Sequence, residues 1–106
     1  MADARIDVPA TAKPGEIIEI RTLVRHPMET GFRRTQLGAL VPRDIITRLV
    51  CTYNGIEVFR AEMHPAIAAN PFIAFSTIAI ESGTIAFTWS GDNGYAATHS
   101  ATISVD

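Results

Sequence analysis

Three histidines and one cysteine are the residues of this chain whose types could support metal binding or nucleophilic chemistry. His26, His64 and His99 stand far apart in the sequence, so a metal site would require the fold to bring them together. His26 and His64 each precede a proline, which favours extended or turn backbone at both positions. Cys51 lies within a run of strand-forming residues, where we expect a buried and unreactive thiol. None of the spacings matches a motif for metal ligation or nucleophilic catalysis.

The segment between His26 and Asp44 carries the remaining candidates for chemistry. It is too long for a tight turn, and long ordered loops in compact domains often bind ligands or partners. Arg33 and Arg34 form a small basic cluster beside Glu29. This cluster predicts an attraction for anions or for an acidic patch on another protein. The alternative interpretation is a meandering connection between two sheets whose charges are simply solvated.

Composition limits the classes of protein to which the chain can belong. Its 106 residues suit one domain, 1–106, and 47% hydrophobic residues suffice for a modest core. A net charge of -2 argues against an electrostatic binder of nucleic acid. No apolar run approaches the length of a membrane span, and the first residues lack the pattern of a signal peptide. The single cysteine excludes a disulfide within the chain.

The elements that must position these residues are predicted to be β-strands. Between Thr84 and Trp89, apolar and polar side chains alternate with a period of two, as in a half-buried strand. Glycine, asparagine and proline separate this run from others of similar length. The pattern predicts an all-β fold, an immunoglobulin-like antiparallel β-sandwich of about seven strands. The expected strands lie around residues 6–8, 16–25, 45–53, 56–63, 72–80, 84–89 and 96–105.

Asn54-Gly55 is the strongest turn signal, because a type I′ hairpin needs positive φ at both central residues. A regular two-residue hairpin would place Cys51 opposite Val58 and Val50 opposite Phe59. One face of the hairpin would then carry the apolar side chains of residues 45, 49, 51, 53, 56 and 58. The other face would also be apolar, which indicates a cover formed either by the long loop or by a partner protein. That second face is predicted to consist of Ile46, Val50, Phe59, Ala61 and Met63.

Six short motifs follow one another along the chain: AKPGE at 12–16, HPMETG at 26–31 with Arg33, PRDII at 42–46, CTYNG at 51–55, NPF at 70–72 and FTW at 87–89. In their order and spacing, these motifs make nearly the whole chain resemble the SoxZ family of bacterial thiosulfate oxidation.

The resemblance implies a non-catalytic subunit without a cofactor or metal, which pairs with SoxY in the SoxYZ carrier complex. SoxY holds the sulfur substrate on a cysteine of its C-terminal arm, and this chain shows no such arm. The resemblance also implies transient contacts with other Sox enzymes and a periplasmic location, reached by export together with SoxY. It leaves open whether homo-oligomers form when SoxY is absent.

Pattern and resemblance together predict two surfaces for SoxY or its enzymes. One is part of the hairpin, represented by Ile46, Val50, Phe59 and Met63. The other is the beginning of the long loop, represented by His26, Met28, Glu29, Arg33 and Arg34. Two alternatives remain, an independent metal-binding sandwich that uses the three histidines, and a generic immunoglobulin-like interaction module.

Overall fold

The computed structural model describes residues 4–65, 67 and 69–106. These residues form two β-sheets packed face to face, which confirms the predicted sandwich. Within this part of the chain the only helical element is a 3-10 turn at Asp92–Gly94, and no helix is long and apolar enough to cross a membrane. The strands are β1 (Ala4–Asp7), β2 (Thr11–Ala12), β3 (Ile17–Val24), β4 (Ile46–Tyr53), β5 (Ile56–Glu62), β6 (Phe72–Ile78), β7 (Gly83–Gly91) and β8 (Ala96–Val105).

The sheets differ in size. One contains three strands in the order β1-β3-β6, and the other contains five in the order β2-β8-β7-β4-β5. All neighbouring strands are antiparallel except β2, a two-residue strand that runs parallel to β8. Among the strands of the described residues, this short one is the addition to the seven that the sequence predicts.

In β3 and β7 the alternation of side chains separates an inward, buried side of the strand from an outward side, as the sequence predicts. Ile18, Ile20 and Val24 point from β3 into the core, while their odd-numbered neighbours are exposed. Phe87 and Trp89 point from β7 into the same core and are among its largest fully buried side chains. The two central strands therefore hold the sheets together through a dry apolar layer.

Two β-bulges, one in the β4–β5 hairpin and one in the pairing of β4 with β7, change the arrangement that the sequence predicts. Thr52 pairs with Glu57 and Cys51 with Phe59, so Val58 is an extra residue between these pairs. A second shift, between Ile46 and Arg48 in the pairing of β4 with β7, leaves Thr47 as the extra residue. Each extra residue reverses the alternation of inward and outward side chains beyond it. The predicted pairs Cys51 with Val58 and Val50 with Phe59 are therefore wrong.

The bulges turn most of the predicted second apolar face into the core. Ile46 and Met63 are buried, and Phe59 and Ala61 pack against the core cluster. Val50 alone keeps the predicted outward orientation, opposite Arg60. Charged neighbours on this surface form ion pairs across and along the strands. The ion pairs join Arg48 to Glu62 at 3.1 Å, Arg60 to Glu57 at 2.9 Å and Arg60 to Glu62 at 3.6 Å.

Candidate partner interface

Four of the nine residues predicted for a partner interface lie inside the domain. His26, Met28, Ile46 and Met63 are all buried where the long loop leaves the sandwich. In this structure they support the base of the loop and present little surface to another protein. Their part in a partner contact stays a prediction.

Met28 fastens the beginning of the loop to the sandwich. Its backbone adopts a φ of 53°, a left-handed conformation that is uncommon for residues with a side chain. Its sulfur accepts a hydrogen bond from the backbone N–H of Ile46 at 3.2 Å. Next to it, the backbones of Glu29 and Asp44 exchange two hydrogen bonds of 2.8 Å. The two ends of the loop are thereby held side by side.

His26 is fixed from both sides by Asn70. The histidine N–H donates to the Asn70 side-chain oxygen at 2.9 Å, and its carbonyl accepts from the Asn70 N–H at 2.8 Å. The Nδ1 atom of the ring accepts from the N–H of Met28 at 3.0 Å. A neutral ring in this arrangement must carry its proton on Nε2, which lies 3.7 Å from an Asp44 oxygen. A ring held in this tautomer does not offer Nε2 as a metal ligand.

Residues 31–42, which we term the projecting loop, extend away from the sandwich as a small hairpin. The N–H of Val41 donates to the carbonyl of Arg33 at 2.8 Å, and the N–H of Thr35 donates to Ala39 at 2.8 Å. Gly38 closes the tip through a hydrogen bond of 2.9 Å to Thr35. The projecting loop is thus an ordered structure with its own backbone hydrogen bonds.

The projecting loop exposes apolar side chains that contribute nothing to the core. Phe32 is 81% exposed, Leu37 97% and Leu40 54%. The molecule measures 59 × 20 × 19 Å, whereas its longest strand, with ten residues, spans about 34 Å. Segments beyond the strands therefore account for much of its length. Exposed leucine and phenylalanine on an ordered projection are typical of surfaces that another protein covers.

The two arginines of the predicted basic cluster are engaged within the loop. Arg33 forms a bidentate pair with Glu29, with a shortest distance of 2.7 Å. These hydrogen bonds lower the pKa of Glu29 and raise the pKa of Arg33. Arg34 donates to the carbonyl of Gly38 at 2.8 Å and so supports the tip. The arrangement orders the hairpin and offsets the charge of Arg33 locally.

A second anchor of the loop joins residues that sequence analysis did not connect. Arg43 donates to both carboxylate oxygens of Asp92, at 2.7 and 2.9 Å, and Asp92 also accepts from the N–H of Ile45 at 3.2 Å. Arg43 lies directly against Gly31, where an added Cβ would approach the Arg43 Cβ to 3.0 Å. Gly31 and Arg43 occur in the motifs of the family resemblance, but the contact of Arg43 with Asp92 spans 49 residues and leaves no local pattern.

The remaining predicted residues lie on the hairpin. Val50 is half-buried on the charged outer surface of β4. Phe59 is half-buried and stacks on Phe75 of β6, with ring centroids 4.1 Å apart and planes within 3°. This stack bridges β5 and β6 at one flank of the sandwich and leaves both rings half-buried. The structure thus places these nine residues, which the sequence predicts for two surfaces, at the buried base of the long loop, in the loop itself and on the hairpin.

A cleft of about 530 Å³ lies beside the base of the projecting loop. Within it, the rings of His26 and Tyr95 meet edge to face, with centroids 4.8 Å apart. Among the described residues, the buried Tyr95 hydroxyl has no hydrogen-bond partner. Burial and the nearby carboxylate of Asp44 raise the pKa of Tyr95. The cleft is lined by Arg25, His26, Pro27, Asp44, Gly94, Tyr95 and Ala96.

The cysteine and the three histidines lie in different environments of the described structure. Cys51 is buried, as predicted, and burial raises the pKa of its thiol to about 12. Of the three histidines, His26 is buried and His64 and His99 are exposed on separate segments. Among the residues that the structure describes, no three His, Cys, Asp or Glu side chains lie close enough to hold a metal ion.

Comparisons with known proteins identify relatives in sequence and in fold. The family model described as "Sulphur oxidation protein SoxZ" matches residues 5–102. No curated protein sequence matches the chain.

Among solved structures, a superoxide reductase (neelaredoxin) from Ignicoccus hospitalis is 17% identical, with a TM-score of 0.75 over 97% of this chain and 80% of that one. A putative superoxide reductase from Thermotoga maritima is 20% identical, with a TM-score of 0.73 over 97% and 85%. The sulfur carrier protein SoxY from Chlorobium limicola f thiosulfatophilum is 10% identical, with a TM-score of 0.67 over 97% and 78%. At these identities the structures share a fold with the chain.

Proposed function

Because the chain belongs to the SoxZ family of sulphur oxidation proteins, we propose that it is the non-catalytic subunit of a SoxYZ carrier complex in thiosulfate oxidation. In this role it binds and stabilises SoxY, which holds the sulfur substrate. It also forms part of the surface on which other Sox enzymes dock in turn. The complex works in the periplasm, and the chain reaches it by export together with SoxY.

The observation that carries this proposal is the apolar surface of the projecting loop. Phe32, Leu37 and Leu40 are exposed on a hairpin that is ordered by its own hydrogen bonds and fastened at its base. An ordered loop loses little conformational freedom when it binds, so burial of these side chains can stabilise a complex efficiently. The loop therefore fits a stable contact with another protein.

The outer surface of the β4–β5 hairpin is less suitable for the same contact. Its outward side chains include Arg48, Glu57, Arg60 and Glu62, which form ion pairs across and along the strands. Burying this network would require desolvation of several charges. We therefore assign the principal contact with SoxY to the projecting loop. In this assignment Val50 lies at most on the rim of the interface with SoxY.

The sulfur chemistry of the complex falls to SoxY in this proposal. Cys51 is the only cysteine of the chain, and it is buried with a pKa of about 12. A thiol with these properties is neither accessible nor ionised near neutral pH. Catalysis and substrate attachment then reside on the partner proteins.

Co-purification tests the proposal directly. The tagged chain is expressed with and without SoxY from the same source, and the mass and melting temperature of the product are measured. We expect a one-to-one complex that melts at a higher temperature than the lone chain, because a ligand of the folded state stabilises it. A wild-type chain that remains alone in the presence of SoxY would overturn the function.

Two substitutions then test the loop as the contact. Leu37→Asp places a charge at a fully exposed tip, whereas Ile56→Asp makes the same change at the opposite end of the sandwich, where Ile56 is 71% exposed. We expect Leu37→Asp to weaken binding of SoxY at least tenfold and Ile56→Asp to leave it unchanged. Equal affinity of the Leu37→Asp variant and wild type would exclude the loop tip as the contact without excluding SoxY binding elsewhere.

A further inference from the structure

The edge of β6 is open and carries no charged residue. Edge strands usually avoid pairing with other chains through charges, bulges or short length. β5 carries Glu57, Arg60 and Glu62, β1 is short and charged, and β2 has two residues. β6 has seven residues, all uncharged, and in the described part of the chain no strand pairs with its outer edge. β6 thus lacks the charges or short length that protect the other edge strands from pairing with another chain.

The flank of the sandwich at β6 is also incompletely covered. The inward side chains of β3, such as Ile18 and Ile20, are fully buried between the sheets. The inward side chains of β6, which are Ile73, Phe75 and Thr77, are only half-buried. They belong to the same sheet, so the difference arises from the missing neighbour beyond β6.

The outer surface of this sheet has two apolar corners. Leu23 of β3 lies opposite Phe72 of β6 at one end, and Ile17 lies opposite Ile78 at the other. All four side chains are exposed, from 39% for Leu23 to 72% for Ile17. Ala74 and Ser76 separate the corners on β6. The apolar residues are therefore placed symmetrically about the centre of the strand, at Phe75.

We propose that two copies of this chain associate through β6 as an antiparallel pair, with a twofold axis at Phe75. This register places Phe72 of one copy opposite Ile78 of the second copy, and the reverse. Each corner then extends across the junction into a row of four apolar side chains. The row runs from Leu23 and Phe72 of one copy to Ile78 and Ile17 of the second copy, and the twofold axis generates it twice.

A second strand from another copy also fills the gap at the flank. It satisfies the open backbone groups of β6 and covers the half-buried Ile73, Phe75 and Thr77. A seven-residue strand is about 24 Å long, so the junction is small by the standard of permanent dimers. The structure thus indicates a dimer whose population rises with concentration.

The uncharged edge of β8 beyond β2 is the strongest rival surface. Ser104 and Val105 of β8 pair with β2, and among residues 4–65, 67 and 69–106 no strand pairs with the preceding part of β8 on that side. However, the exposed side chains in that stretch are polar, as at Thr98 and Ser100, and its inward Ala97 is already buried. Pairing there would bury little additional apolar surface.

Sedimentation velocity over a wide range of concentrations tests the inference on the lone chain, so its outcome does not depend on binding of SoxY. The middle of the proposed pair places Ala74 of each copy opposite Ser76 of the other. Ala74→Glu with Ser76→Glu would oppose two pairs of like charges, and we expect a monomer at all concentrations. Ala74→Glu with Ser76→Lys would oppose unlike charges in the same positions, and we expect the dimer to return.

The control places the same charges on the rival edge, through Thr98→Glu with Ser100→Glu, and we expect the dimer to persist. A monomeric wild type, a dimer that survives Ala74→Glu with Ser76→Glu, or the absence of rescue by Ser76→Lys would each overturn the inference. A wild type that is monomeric alone, together with loss of SoxY binding in the variant with two glutamates on β6, would assign the edge to SoxY instead. Far-UV circular dichroism confirms that each variant remains folded.

Discussion

The sulfur of Met28 accepts a hydrogen bond from the backbone N–H of Ile46, at the point where the long loop ends and β4 begins. The two residues are 18 positions apart, and both are buried. Their contact satisfies an N–H group in the core and places the two ends of the loop beside each other. The projecting loop therefore extends from a fixed base, which determines where its apolar tip is presented.

Met28→Leu should destabilise the protein by about 1 kcal/mol or more, because it leaves the N–H of Ile46 buried without an acceptor. Met63→Leu is the matched control, since Met63 is equally buried and the structure describes no hydrogen bond to its sulfur. Replacement of methionine by leucine conserves side-chain volume and lowers the free energy of unfolding little by itself. Denaturant unfolding of both variants gives the comparison, and equal stability of the two would contradict the role assigned to the Met28 sulfur.

Gly31→Ala should destabilise the protein more than Gly38→Ala does. Both glycines have positive φ, 90° and 87°, so both substitutions introduce backbone strain of about 1 kcal/mol. Only the Cβ at position 31 meets another group, the Cβ of Arg43 at 3.0 Å, whereas position 38 is open. Comparison of the thermal unfolding of the two variants isolates this steric contact. Identical melting temperatures would show that Arg43 moves away from the added Cβ without loss of stability.

Asp92→Asn should remove a pH-dependent part of the stability. Hydrogen bonds from Arg43 lower the pKa of Asp92 below its ordinary value of 3.8. A carboxylate with a lowered pKa stabilises the folded state above its ordinary value, and this stabilisation is lost as pH falls through the folded pKa. The difference in melting temperature between wild type and variant should therefore be constant near neutral pH and shrink below about pH 4. A difference that does not vary with pH would contradict this.

Cys51 should not react with a thiol reagent such as DTNB in the folded protein at about pH 8, because it is buried and its pKa is about 12. In a denaturant, one thiol per chain should react, since the sequence contains a single cysteine. A Leu37→Cys variant is the positive control, because that position is almost fully exposed. Rapid labelling of the folded wild type would show that the core opens at this strand.

The fold could be predicted to a large extent from alternation and turn signals. The inward residues of β3 and β7 stand in strict alternation over a whole strand, so their phase identifies the core without reference to the rest of the chain. The long loop was also recognisable, because residues 26–44 lack any such period. Its shape was not, since the hairpin at 31–42 and its apolar tip depend on hydrogen bonds and anchors outside that segment.

The errors have a common physical cause. An extra residue at Thr47 or Val58 reverses the orientation of every side chain that follows, yet neither residue differs in type from an ordinary strand residue. The bulges form because burial of Ile46, Phe59 and Ala61 outweighs regular pairing of β4 with β7 and with β5. Likewise, the pair of Arg43 with Asp92 joins distant segments by a turn that no local spacing encodes.

The bulge at Val58 also limits how the length of this hairpin can change during evolution. Deletion of Val58 itself would restore regular alternation and leave every other pair of the hairpin unchanged, whereas deletion of one paired residue, such as Ala61, would shift the register and turn Glu62 towards the core. Single deletions in β5 should therefore be tolerated at Val58, while elsewhere in the hairpin the length should change in steps of two residues, or at the Asn54-Gly55 turn with compensation. Natural length variants of this hairpin would reveal such a parity rule.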